Sequence, residues 1–300
     1  MKRLGLFKYL LCVCVCTLPL LGQAEAPAQT GRVEVVASFS ILADMASQIG
    51  DERVSVHSLI PVEGHIHGYS PKPSDAKRLK AASVLVVNGF GLDDWVLNLA
   101  KSAQFKGTMV RATQDVSSLS RQSNAGPDPH AWQDVKNARI YAKNIAAGLI
   151  AADPQGQTFY QAKLEEFDRS LLALDEQMQA AFSSIAPAQR RFVSSHDAFF
   201  YFGAAYGVAF IPIAGVSEHA EPSAGQMGAL IKQVRDEGAS AIFLEHQANA
   251  ALAKRLQKET GVRIGGTLYA DSLSPAKGPA PTYIKMMQAN MQVILDALKP

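Results

Sequence analysis

Val84-Leu85-Val86-Val87 is apolar at every position, and this short run decides the fold class. A strand with no polar side to alternate with is buried on both faces, as in a parallel sheet covered by helices. Working outward, Val33-Glu34-Val35-Val36-Ala37 and Val54 to Ile60 read as strands, with helical segments at Ile41–Ile49 and Ser74–Ala82 between the three strands. This succession is βαβ grammar. It resumes in the second half, where Arg191–Ser194, Ala209–Ile213, Ala241–Leu244 and Arg263–Tyr269 read as strands. Helices are expected near Ala198–Tyr206, Ser223–Glu237 and Ala248–Thr260, with Gly238 and Gly261 at C-cap positions. The expected class is α/β with mostly parallel sheets.

Between the halves, Leu164, Phe167, Leu171, Leu174, Met178, Ala181 and Ile185 recur at spacings of three and four. That spacing keeps one face of a single helix apolar. Running from Gly156 to Ile185, the helix would be ~45 Å long at 1.5 Å per residue, sufficient to traverse a small lobe. Core packing is its plain role, and a helical connector also restricts hinge motion more than flexible strands do.

The 300 residues suffice for two compact lobes. With 29 basic and 27 acidic residues the net charge is only +2, and no Lys/Arg run focuses a field, so nucleic-acid binding is not expected. Residues 1–26 read as a signal peptide: Lys2 and Arg3, an apolar run from Leu4 to Leu21, then the small-x-small Ala24-Glu25-Ala26. A retained anchor is the alternative, because the apolar run approaches the ~20 residues that span a bilayer. Cys12, Cys14 and Cys16 all lie in this segment, none preceded by the small residue that lipid attachment wants. The mature protein is then thiol-free, and any metal site in it must use His and carboxylate.

The histidines are His57, His65, His67, His130, His196, His219 and His246. Three sit where strands hand over to loops. His67 lies in Gly64-His65-Ile66-His67-Gly68-Tyr69-Ser70-Pro71-Lys72-Pro73-Ser74-Asp75, where two prolines stiffen the backbone and Ser74 is placed to cap the next helix. His130 lies in Pro127-Asp128-Pro129-His130-Ala131-Trp132, again proline-braced. His196 follows Phe192-Val193-Ser194-Ser195 and Asp271 follows Thr267-Leu268-Tyr269-Ala270, both at the carboxyl end of an expected parallel strand, where open α/β sheets place their ligands. Intervals of 63, 66 and 75 residues put one candidate on each of four strand-loop units, the arrangement of a site between two lobes.

These local sequences resemble the metal-binding cluster (A-I) of ABC-transporter solute-binding proteins, the zinc and manganese group. The resemblance spans essentially the mature chain. It is carried by His67-Gly68-Tyr69-Ser70-Pro71-Lys72-Pro73-Ser74-Asp75, Asn88-Gly89-Phe90-Gly91-Leu92-Asp93-Asp94-Trp95, Asp128-Pro129-His130-Ala131-Trp132, Ser195-His196-Asp197-Ala198-Phe199, Ala220-Glu221-Pro222-Ser223 and Tyr269-Ala270-Asp271-Ser272-Leu273. The resemblance implies two (β/α) lobes joined by one long helix: an N-terminal lobe over residues 32–155, a linking helix over 156–186 and a C-terminal lobe over 190–300. It also implies His67, His130, His196 and Asp271 as metal ligands, and delivery of the ion to an ABC permease of the inner membrane by a monomeric periplasmic protein.

Manganese members of the family tend to carry a carboxylate at the third ligand position, where this sequence has His196. Three imidazoles and one carboxylate suit Zn²⁺, which accepts tetrahedral N/O donors, better than Mn²⁺, which favours oxygen-rich octahedral shells. The zinc branch is therefore expected, with a manganese-binding protein or a metal-dependent adhesin as alternatives. The chain departs from the zinc pattern in one respect, since Ser117 to Asp128 is short and lacks the His-rich loop of many zinc members. His65 stands where Asp is frequent and could recruit an ion, with an exposed loop residue as the plainer reading. Asp197 and Glu245 are candidates to fix ligand tautomers, while His219 and His246 are expected to be solvated or to sit behind the ligands.

Gly89-Phe90-Gly91-Leu92-Asp93-Asp94 begins like a dinucleotide fingerprint, but Asp94 replaces the third glycine and would repel a pyrophosphate. It reads as a tight turn. No His-Glu-x-x-His, Gly-x-Ser-x-Gly or Walker sequence occurs, and a fourth protein ligand leaves no open position for a catalytic water. A binding protein is expected rather than a metallohydrolase.

Overall fold

The computed structural model describes residues 31–120, 126–214, 223–245 and 250–299. The signal-peptide reading of residues 1–26, the three cysteines, His219, His246 and Ala220-Glu221-Pro222 lie outside the described residues.

The first half runs β1 (Val33–Phe39), α1 (Ser40–Gly50), β2 (Val54–Ile60), α2 (Pro73–Ala81), β3 (Val84–Val87), α3 (Asp94–Ser102), β4 (Thr108–Arg111) and α4 (Val135–Ala152). The long helix α5 (Gln157–Ser183) connects it to the second. The second half runs β5 (Arg191–Ser194), α6 (Phe200–Tyr206), β6 (Ala209–Pro212), α7 (Ala224–Glu237), β7 (Ala241–Glu245), α8 (Ala250–Thr260), β8 (Ile264–Leu268) and α9 (Tyr283–Ala297). Two four-stranded sheets result, ordered β2-β1-β3-β4 and β6-β5-β7-β8, with every pairing parallel. The two lobes therefore share one topology. In each, the connections reverse direction between the first and third strands, which is where an open α/β sheet leaves a crevice at its carboxyl edge.

Side-chain alternation explains the layers. On β1 and β3, Val35, Ala37, Val84 and Val86 point into the main core, while Val36, Leu85 and Val87 join Leu79, Val96 and Ala100 beneath α2 and α3. On β5 and β7, Phe192, Ala241 and Phe243 face the main core, and Val193 and Ile242 pack with Met227, Val234 and Leu256 of α7 and α8. Both faces of each sheet are covered, as the unbroken apolar runs require. The main core is continuous through both halves, from Val35 and Ile41 through Tyr141, Leu171 and Met178 to Phe243 and Ile294.

Helix α5 spans 27 residues, ~40 Å at 1.5 Å per residue, and buries Tyr160, Phe167, Leu171, Leu174, Met178 and Phe182. It ends before the expected Ile185, because Pro187 disfavours helical backbone at Ala186. Ile185 is still buried. The Arg139 guanidinium forks onto Asp168 at 2.7 and 2.8 Å and ties α4 to α5. Among the described residues, no helix is long and apolar enough to cross a membrane.

Two local readings need correction. Ser74 does not cap α2: Pro73 takes the first helical position, and the Asp75 carboxylate reaches back to accept the Lys72 N–H at 2.7 Å. The sequence reading also passed over α3, β4, α4 and α9. Strand β4 has one buried residue, Val110, because it is an edge strand, so its alternation is too brief to stand out.

Candidate metal centre

All four sequence candidates meet where the carboxyl edges of the two sheets face each other. His67 comes from the loop after β2, His130 from the segment after β4, His196 from just past β5, and Asp271 from just past β8. One donor atom from each can be chosen so that all four lie within 4.8 Å of one another. His67 Nε2 stands 3.3 Å from His130 Nε2 and 3.1 Å from Asp271 Oδ2. His196 Nε2 is 3.2 Å from the same Oδ2, and His130 Nε2 is 3.5 Å from Oδ1. The rings cross at 56°, 77° and 70°, so they converge edge-on instead of stacking.

The centre is nearly sealed. The side chains of His130, His196 and Asp271 are 0%, 1% and 7% exposed, and His67 is the most open at 14%. Three imidazoles and a carboxylate enclosed this way are polar groups held at close quarters in a buried position. Buried charge is tolerated when it is paired or coordinates a metal. Burial works to raise the Asp271 carboxyl, but the charges of His196 and His130 and hydrogen bonds with His196 and His67 hold it well below the usual carboxylate range.

The rings are aimed from behind. His130 Nδ1 lies 2.9 Å from Asp128 Oδ1, which also accepts the His130 backbone N–H at 2.8 Å. Glu245, at the end of β7, does the same for His196: Oε1 accepts its backbone N–H at 2.9 Å and Oε2 meets Nδ1. A carboxylate on Nδ1 fixes the ring and directs Nε2 into the centre. Of the two carboxylates proposed for this work, Glu245 takes the His196 ring; Asp197 lies half-buried beside it in the chain. The sequence reading does not single out Asp128 for this role, although an Asp two residues before a His is a visible signal.

A further buried network supports the His130 segment. The Asn88 amide donates to the Pro129 carbonyl at 3.0 Å and accepts the Tyr141 hydroxyl at 2.7 Å. Asp93 anchors Asn88 in turn, accepting the N–H groups of Asn88 and Gly89 at 2.6 and 3.0 Å and the Ser38 hydroxyl at 2.6 Å. Gly89 and Gly91 adopt φ of 97° and 80° there, so the segment is the tight turn expected. The place a phosphate would take over those N–H groups is filled by the Asp93 carboxylate.

His65 is exposed and does not belong to the cluster; His57 lies on β2, part-buried, also outside it. Within the N-terminal half, the buried Trp132 indole lies 5.3 Å from the His130 ring and 5.1 Å from Phe39 and backs the His130 side of the centre with apolar rings.

Comparison with known proteins gives a consistent result. A family model described as zinc-uptake complex component A, periplasmic (ZnuA), matches residues 35–297. Manganese-binding lipoprotein MntA of Halalkalibacterium halodurans is 33% identical over 266 residues, covering 89% of this chain and 88% of that protein. The periplasmic zinc-binding protein TroA from Treponema pallidum superposes with a TM-score of 0.85 at 26% identity, over 90% of this chain and 100% of that one. A manganese-bound periplasmic metal-binding protein from Candidatus Liberibacter asiaticus gives 0.82 at 27% identity, over 89% and 100%.

Proposed function

This chain belongs to the zinc-uptake complex component A family of metal-binding, solute-binding proteins of ABC transporters, and from that premise we propose that it captures one zinc ion and hands it to a membrane permease. His67, His130, His196 and Asp271 are the ligands in this reading. The observation that carries it is the spacing of the donors. Four atoms each ~2.0–2.2 Å from one ion at the corners of a tetrahedron stand ~3.3–3.6 Å apart; here His67 Nε2 stands 3.3 Å from His130 Nε2, Asp271 Oδ2 stands 3.1 and 3.2 Å from the Nε2 atoms of His67 and His196, and one donor from each of the four residues can be chosen within 4.8 Å of the others.

Capture replaces the water shell of Zn²⁺ with three neutral imidazoles and the Asp271 carboxylate. Because protons compete for the same imidazole nitrogens, affinity falls as the solution is acidified, and binding releases protons. With four protein ligands the shell has no vacancy for an activated water, so transport and not hydrolysis is the chemistry. The lobes over residues 32–155 and 190–300, with 156–186 as the linking helix, are the units that a permease would separate. Residues 1–26 act as the export signal, and the protein works as a monomer in the periplasm.

Manganese is the second reading, and one observation favours it. Both Asp271 oxygens face imidazoles, Oδ2 toward His67 and His196 and Oδ1 toward His130, so a bidentate carboxylate would extend the shell beyond four. Metal analysis of protein purified without chelators separates the readings. We expect one zinc per chain; stoichiometric manganese would select the second reading, and protein that neither carries nor takes up a divalent ion would overturn both.

A further inference from the structure

Asp271 follows β8 of the C-terminal sheet, yet the backbone around it is held by the other half of the molecule. The Ala270 carbonyl accepts two hydrogen bonds at 2.9 Å, from Trp132 Nε1 and from Gln133 Nε2. Both donors sit on the turn Ala131–Gln133, directly after His130. Beyond Asp271, the Ser272 hydroxyl accepts the Glu63 N–H at 2.9 Å, and the Leu273 N–H donates to Ser40 Oγ at 3.1 Å. Glu63 lies on the loop that carries His67, and Ser40 opens α1.

A carbonyl oxygen has two lone pairs, and here both are taken by side chains that are wholly buried. Water cannot substitute at either position, so deleting one donor leaves Ala270 free to shift and its neighbour unsupported. The turn itself is braced: the Gln133 N–H closes onto the His130 carbonyl at 3.1 Å, and the Tyr283 hydroxyl donates to the Trp132 carbonyl at 2.6 Å. Bonds on both sides of Asp271 thus lead to the segments that carry His67 and His130.

We propose that Gln133 and Trp132 are positioning residues that hold Asp271 in register with His130 and His67. Three donors then form one preassembled seat on the N-terminal half, and His196, set by Glu245, completes it from the C-terminal half. This rests on the ligand set proposed above and goes beyond it by assigning Asp271 to the half from which its strand does not come.

The test is a set of double-mutant cycles. Gln133→Leu, close in volume but without the amide, is made in the native chain, in Asp271→Ala and in His196→Ala, and zinc affinity is measured by competition with a chromophoric chelator. The expected result is a loss of ~10–100-fold in the native and His196→Ala backgrounds, with no further loss in Asp271→Ala. General damage to packing does not couple to one donor and spare the other. Equal losses in all three backgrounds, or none in the native one, would overturn the proposal. Should circular dichroism show Gln133→Leu poorly folded without metal, Trp132→Phe is judged by the same criterion, since it removes the indole N–H and keeps a ring against Phe39. Absence of zinc binding by the native chain would overturn the ligand set, and this inference with it.

Discussion

Glu245 meets His196 twice, one carboxylate oxygen accepting the backbone N–H at 2.9 Å and the other facing ring Nδ1. Burial pushes the Glu245 carboxyl up, and the attraction of His196 offsets this only in part. Such a partner orients the ring and makes Nε2 a better donor. Glu245→Gln is therefore expected to weaken zinc binding by ~10–100-fold while the protein stays folded. A chelator-competition titration measures this, and unchanged affinity would show that the pair does not tune the site.

His196→Glu replaces a nitrogen donor with oxygen at a wholly buried position. Oxygen-rich shells suit Mn²⁺ and imidazole suits Zn²⁺. The variant is expected to lose zinc affinity and to gain manganese affinity relative to the native chain. Calorimetric titration with each ion gives the ratio, and a ratio that does not move would remove residue 196 as the selector.

Metal binding should also appear as stability. An ion at 100 times its dissociation constant adds ~2.7 kcal/mol to the folded state, which in a chain of this size raises Tm by ~4–5 °C. A chelator should reverse the rise, and His67→Ala should abolish most of it. Scanning calorimetry with and without zinc reads the shift. An equal rise in the variant would place the ion elsewhere.

Asp153 supplies a pH dependence away from the metal. It accepts Arg53 Nε and Nη2 at 3.0 and 2.6 Å and the Tyr160 hydroxyl at 2.9 Å. Burial works to raise its carboxyl, but the hydrogen bonds from Arg53 and Tyr160 and the guanidinium charge hold it below the usual value. The folded state thus binds this proton less tightly than the unfolded chain. Its contribution is present above the unfolded value of ~3.9 and is lost as pH falls through the lower folded one. Asp153→Asn is expected to cost ~1.5–3 kcal/mol near neutral pH, with the gap from the native chain closing in strong acid. Urea melts across the acid range check it, and a gap independent of pH would defeat the assignment.

How far the sequence carried depends on where the physics is local. Strands covered on both faces, such as Val84–Val87, announce themselves by composition, and α5 by its period. His67, His130, His196 and Asp271 were legible because each stands on a marked strand-to-loop passage, and the structure brings them together. Strand β4 was hidden by its edge position, whereas α9, preceded by Pro279 and Pro281 and capped by Thr282, carries a legible start signal. The links of Asn88 to Pro129 and of Gln133 to Ala270 join residues 41 and 137 positions apart. Neither leaves a local signal, because a single buried amide has no period and no fixed spacing from its partner.

The uneven enclosure of the centre has a temporal consequence. Among the four donors the His67 side chain is the most open to solvent, at 14% exposure against 7% for Asp271 and 0–1% for His130 and His196, so the widest way out for a captured ion lies on the His67 side. An ion enclosed in this way would leave when the closed arrangement loosens, so its residence time would follow the frequency of opening as well as the strength of its bonds. Under the proposed function, such a carrier would keep its cargo through dilution and release it promptly where a docking surface widened the gap.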